Sequence, residues 1–114
     1  MCFVCSQGAP QQVIISGASG DNAAFVNGSF LSVDELYNGR ALYQKVGDPN
    51  AWLLYLKDSI WAVSDTESKV ANNANCMAYS VNMGMAFATG ESLWKVSVDG
   101  VGVEQKAVRV SPAV

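Results

Sequence analysis

At 114 residues the chain has the length of one domain, enough to bury roughly two thirds of its unfolded surface without a disulfide or a metal. Half of the residues are hydrophobic and 15% are charged, the net charge is −3, and the seven basic residues are scattered. That scatter argues against nucleic acid and acidic membranes, which both draw their affinity from clustered Lys and Arg.

The absence of histidine removes Ser-His and Cys-His nucleophiles, His-based acid–base catalysis and every His-containing metal site. Residues 1–10 read as an N-terminal extension and 11–112 as a single β domain, bracketed by Pro10 and Pro112. The N-terminus shows no positive region followed by an apolar core, so no signal peptide is expected. No stretch approaches the ~20 apolar residues of a membrane-spanning helix. A cytoplasmic, reducing location is the expectation. Cys2 rather than Gly follows Met1, which excludes N-myristoylation but leaves Cys2 and Cys5 chemically eligible for palmitoylation. Cys2-Phe-Val-Cys5 has CxxC spacing, yet a structural zinc wants four ligands and only Cys76 remains. Incidental thiols are the simpler reading, with a metal shared between subunits as the alternative.

Turn signals recur every eight to twelve residues between segments rich in Val, Ile, Trp, Tyr and Phe, the pattern of an all-β protein. The expected strands are Gln12–Ser16, Ala23–Leu31 (bent at Asn27-Gly28), Ala41–Val46, Ala51–Leu56, Ile60–Ser64, part of Met77–Phe87, Leu93–Val98 and Val101–Val110. Short helical turns are expected at Ser32–Leu36 and Asp65–Val70, where Ser and Asp can cap. Gly47-Asp48-Pro49-Asn50 and Lys57-Asp58-Ser59 are too short for parallel crossovers and force a three-stranded antiparallel meander. Ala51-Trp52-Leu53-Leu54-Tyr55-Leu56 is apolar at every position, as expected of a central strand covered on both faces. The tryptophans are therefore read as core.

From Met77, the odd positions Met77, Tyr79, Val81, Met83, Met85 and Phe87 are large and the even ones small or polar, a period of two. Core packing is the plain explanation, and a methionine-lined ligand site is the alternative. Asp99-Gly100 suits a type I′ turn, which would pair Val98 with Val101, Val96 with Val103 and Lys95 with Glu104. After Glu104 the apolar phase slips, so a bulge is expected near Gln105 or Lys106. No calcium loop or phosphate loop is present, and Asn27-Gly28-Ser29 is a glycosylation sequon only if the protein is secreted.

Val26-Asn27-Gly28-Ser29-Phe30, Asn38-Gly39-Arg40 with Tyr43 and Lys45, Trp52-Leu53-Leu54-Tyr55, Trp61-Ala62-Val63-Ser64 and Trp94-Lys95-Val96 form an ordered set. This set, spanning about Gln12 to Val110, resembles a small all-β module of uncharacterised protist and algal proteins. The resemblance implies a compact antiparallel β fold and a binding or scaffolding use, with no activity attached.

The expectation is thus an all-β fold of six to eight antiparallel strands, as a small barrel or a two-layer sandwich around the central meander. The expected function is a non-catalytic module that binds protein or glycan without cofactor or metal, as a monomer or weak homodimer. The alternatives are a small-ligand carrier with a methionine-lined interior and a carboxylate-based enzyme. Arg40, beside the Asn38-Gly39 turn, and Tyr43, which alternates with Lys45 on what reads as the wetter face of its strand, opposite Leu42, are the candidate binding residues, because Arg and Tyr are enriched in binding hot spots. For the cysteines, Cys2→Ser with Cys5→Ser should leave the melting temperature unchanged. Stoichiometric zinc that disappears with those two residues would show a metal site instead.

Overall fold

The structure, a computed structural model, describes residues 9–113; the candidate thiols Cys2 and Cys5 lie outside them. In chain order the elements are β1 (Gln12–Ser16), α1 (Ala23–Val26), β2 (Gly28–Tyr37), β3 (Arg40–Lys45), β4 (Asp48–Tyr55), β5 (Trp61–Asp65), α2 (Thr66–Ala71), β6 (Ala78–Ser80), β7 (Trp94–Val98), β8 (Val101–Gln105) and β9 (Arg109–Pro112). All nine strands join one antiparallel sheet curled into a half-barrel, in the order β8-β7-β6-β5-β4-β3-β2-β1-β9. Among the described residues, no helix is long and apolar enough to cross a membrane.

Each strand pairs with the next as far as β8, and β9 then pairs with β1 instead of β8. Because every pairing is antiparallel, β8 and β9 run in the same direction. They behave as one extended segment that changes neighbours at Lys106–Val108, leaving β7 and joining β1. The phase slip after Glu104 is this switch. Two contacts hold it. The Gln105 side-chain amide accepts from the Ser19 N–H at 2.9 Å and donates to the Ser19 carbonyl at 3.0 Å, imitating one rung of a ladder. Gly17, at φ +86°, meets the Ala107 carbonyl so closely that a Cβ would collide with it.

The sheet is covered on both sides. Val13, Ile15, Phe30, Tyr43, Leu53, Tyr55, Trp61, Val63, Trp94 and Val96 fill the concave face with Val26 of α1, while Leu42, Leu54, Leu56 and Ala62 form the convex cluster. Strand β4 alternates between the two, with Ala51, Leu53 and Tyr55 inside and Leu54 outside, and Leu56 just after the strand continues the outside row. It is the central two-faced strand expected from its unbroken apolar run. Trp61 and Trp94 are buried; Trp52 is half-buried, its indole N–H donating to Thr66 Oγ1 at 2.9 Å. Asp65 caps α2 through Ser68 N–H, as its spacing predicts, and Asn72 ends the helix in the left-handed region.

Two local expectations fail, and a third holds over a short stretch only. Ala23–Val26 is a short helix rather than strand; Lys45 Nζ donates to the Ala24 and Phe25 carbonyls, which a strand would have spent on a ladder. Ser32–Leu36 is strand rather than helical turn. Between the pairs Ser32–Tyr43 and Leu36–Ala41, three β2 residues face Leu42 alone, so the polar Asp34-Glu35 step is a bulge. Of Met77–Phe87, only Ala78–Ser80 is strand. There Ser80 Oγ accepts from the Trp61 N–H and donates to the Asn82 carbonyl, and Ser92 Oγ accepts from the Val81 and Asn82 N–H groups. One main-chain bond, from Val81 N–H to the Leu93 carbonyl, persists, and beyond it the Ser92 hydroxyl takes the Asn82 amide and the chain leaves the sheet.

The β7–β8 hairpin matches its sequence reading pair for pair, with Val98–Val101, Val96–Val103 and Lys95–Glu104 in register. Asp99 and Gly100 both have positive φ, 51° and 81°. Nothing lies near a Cβ at Gly100, so Gly100→Val costs backbone strain alone, about 1–2 kcal/mol. Lys95→Gln and Glu104→Gln should each cost less than about 1 kcal/mol. Urea unfolding of the three variants checks the ranking.

Candidate functional site

The partner switch at Lys106–Val108 leaves a gap. β8 covers the flank of β7 only as far as Gln105, paired with Trp94, after which the chain moves to β1. Between the far side of β9 and the loop joining β6 to β7 lies a half-open cleft of about 580 Å³. Leu93, Trp94, Val108 and Val110 give it an apolar floor, and Asn82, Glu91, Ser92 and Arg109 supply polar groups.

Loop 81–93 forms one wall and is tied down along its length. Val81 N–H donates to the Leu93 carbonyl at 2.8 Å, Asn82 Nδ2 to the Glu91 carbonyl at 2.7 Å, and Gly84 N–H to the Ser59 carbonyl at 2.7 Å. The Trp61 indole N–H donates to the Met85 carbonyl at 2.9 Å, and Ala88 is buried in the concave core. Held this way, the loop exposes Val81, Met83, Phe87 and Leu93, with Met83 69% accessible. On the opposite wall, one guanidinium nitrogen of Arg109 donates to the Lys106 and Val108 carbonyls at 2.7 and 3.1 Å, which anchors the side chain at the switch itself. The cleft therefore offers apolar area, one cation, one carboxylate and several amide and hydroxyl groups. Among the described residues, no three His, Cys, Asp or Glu side chains converge as a metal site would require.

The structure does not bring Arg40 and Tyr43 together. The Arg40 guanidinium lies over the Tyr55 ring, 4.7 Å from its centroid, and its Nε is buried without a hydrogen-bond partner among the described residues. Tyr55 in turn packs edge-on against Trp61 at 5.3 Å. Tyr43 does not lie on a wetter face: it is 1% exposed in the concave core, and its hydroxyl donates to the Pro10 carbonyl at 2.6 Å. Burial pushes its pKa up to about 12. The expectation failed because both faces of β3 are covered, so alternation with Leu42 and Lys45 did not report which face was wet.

Two other polar candidates are accounted for by the fold. The Asn27 side chain of the sequon accepts from Ala18 N–H and donates to the Ala18 carbonyl, both at 3.0 Å, which fastens α1 to the end of β1. Cys76 packs beside the convex cluster, and burial raises its thiol pKa to about 11, so it is a poor nucleophile at neutral pH.

These placements separate the two sequence candidates. Tyr43→Ala should lose about 3–5 kcal/mol by emptying a core position, Tyr43→Phe about 1 kcal/mol for one hydrogen bond, and Arg40→Ala under about 1 kcal/mol. The phenol also sets an alkaline limit. The unfolded Tyr43 ionises near 10.0 and the folded one near 12, so between those values the unfolded state holds fewer protons and stability falls as pH rises. Tyr37 and Cys76 shift in the same sense. Tyr43→Phe should flatten part of that alkaline slope in a pH series of urea unfolding curves.

No protein-family model, no curated protein and no solved structure matches the chain.

Proposed function

We propose that the chain is a non-catalytic interaction module that holds a short apolar segment of a protein partner in the cleft beside β9. The observation that carries this reading is the pinned loop. Val81 and Leu93 are exposed on the cleft lining, and Met83 and Phe87 are exposed on the same loop, which is fixed by main-chain bonds and by burial of Ala88. An ordered loop of about a dozen residues that displays apolar side chains is uncommon unless something binds it. A fixed apolar rim also lowers the ordering cost of association.

Other ligand classes find less support. Glycans stack on exposed rings, but Trp61 and Trp94 are buried, and Trp52 carries the Lys69 ammonium 4.4 Å from its ring centroid. A carrier needs an enclosed interior, whereas this cleft is open; Met77 and Met85 pack against the concave core while Met83 faces outward, so the three do not line one face together. Catalysis would have to proceed without histidine, on Glu91 alone among the carboxylates lining the cleft.

The test is selection from a displayed library of random peptides, followed by amide-shift mapping of the winners. Winners should perturb residues 81–93 and 109–112, and Val81→Asp with Leu93→Ser, both exposed on the cleft lining, should weaken them at least about tenfold, the loss of a hot-spot contact, while the chain stays folded. Winners that map elsewhere, or that bind the double variant as tightly, would contradict the cleft.

A further inference from the structure

Among the described residues the sheet ends on two edges, β8 and β9, and these differ. The β9 edge is short and carries Pro112 and Arg109, devices that discourage strand pairing. The β8 edge carries Val101-Gly102-Val103-Glu104-Gln105, without proline or an internal bulge, and its first four residues are exposed, including Val101 at 62% and Val103 at 41%. We infer that β8 is a self-pairing edge, through which two copies of the chain join antiparallel into one continuous sheet. This inference is independent of the cleft, which lies on the other side of the switch.

The hairpin fixes which groups are available. A two-residue loop makes Val98 and Val101 a hydrogen-bonded pair, so Val101, Val103 and Gln105 direct their backbone N–H and C=O at β7. Gly102 and Glu104 direct theirs outward, and β8 ends the sheet among the described residues. Two donors and two acceptors therefore stand on this edge at alternate residues, as a strand requires.

The same spacing makes the edge complementary to itself. With a two-fold axis at Val103, Gly102 of one copy exchanges both hydrogen bonds with Glu104 of the other. Val103 then meets its own counterpart in a non-hydrogen-bonded pair, where side chains approach most closely. No like charges stand directly opposite, whereas a shift that centred the axis on Glu104 would oppose two carboxylates. Gly102 also leaves room for the incoming Glu104. A Cβ on Gly102 would sit 3.0 Å from the Tyr79 hydroxyl, so that hydroxyl borders the position opposite the second copy's Glu104 and can donate to its carboxylate. A peptide strand of other sequence would satisfy the backbone but not this pairing of Glu, Gly and Tyr.

One strand pair is a small interface, so the association belongs at the weak end and is sought up to about 1 mM. Sedimentation velocity of the 114-residue chain should show a concentration-dependent dimer. Glu104→Pro, which removes an outward N–H at a position where an edge strand tolerates proline, should remain monomeric with an unchanged near-ultraviolet circular dichroism spectrum. In a Cys2→Ser, Cys5→Ser background, Val103→Cys should form a disulfide-linked dimer on mild oxidation and Val101→Cys, opposite Gln105, should not. Three results would overturn the inference: a wild-type chain monomeric throughout, equal cross-linking at 101 and 103, or Glu104→Pro dimerising as well as wild type.

Discussion

A meander of eight strands curls but does not close, because its first and last strands are left on opposite edges. The close approach of Gly17 to the Ala107 carbonyl shows how this chain deals with that constraint. Only a residue without Cβ, and tolerant of φ +86°, lets the end of β1 come this near to another backbone. That approach permits the last extended segment to pass from β7 to β1 at Lys106–Val108, and Gln105 bridges the step with two hydrogen bonds to Ser19. The concave core depends on it, since Val108 and Trp94 belong to the same cluster as Val13 and Ile15. So does the surface. The switch leaves the cleft on one side, between β9 and loop 81–93, and the bare β8 edge on the other.

Much of the fold was legible in the residues because the strongest signals are local. Asp99-Gly100 demands two positive φ values and thereby sets the whole β7–β8 register. The unbroken run from Ala51 to Leu56 needs cover on two faces, and the two clusters supply it. The short links around Gly47 and Asp58 force antiparallel neighbours. The failures share a cause, which is competition from partners distant in sequence. The alternation from Met77 to Phe87 is a strand pattern in isolation, but only Ala78–Ser80 is strand, and after Val81 the Ser92 hydroxyl captures the Asn82 amide that would have continued it. Asp34-Glu35 looks like the start of a helix, yet Val33 and Tyr37 on either side are drawn onto the convex cluster.

The site was less legible. Arg40 and Tyr43 are the residue types of a binding surface, and Arg40 does sit beside its predicted turn, but its cation is spent on the Tyr55 ring. Tyr43 is polar at one atom and buried at nearly all others. The loop that carries the exposed apolar side chains gave the same sequence pattern as a strand, so nothing in the order of residues distinguished Met83, outside, from Met85, against the core. Arg109 reaches the cleft only because β9 pairs with β1, a contact between the two ends of the described chain.

The switch can be observed directly through cross-strand Hα–Hα contacts in a nuclear Overhauser spectrum, which are strong in non-hydrogen-bonded antiparallel pairs. The account predicts contacts between Ser97 and Gly102 and between Ile15 and Val110 in the same molecule, from the registers of β7–β8 and β1–β9. If the second hairpin strand instead continued along β7 without changing neighbours, Val110 would contact the region of Thr89 and lose Ile15. That result would contradict the closure, and with it the cleft.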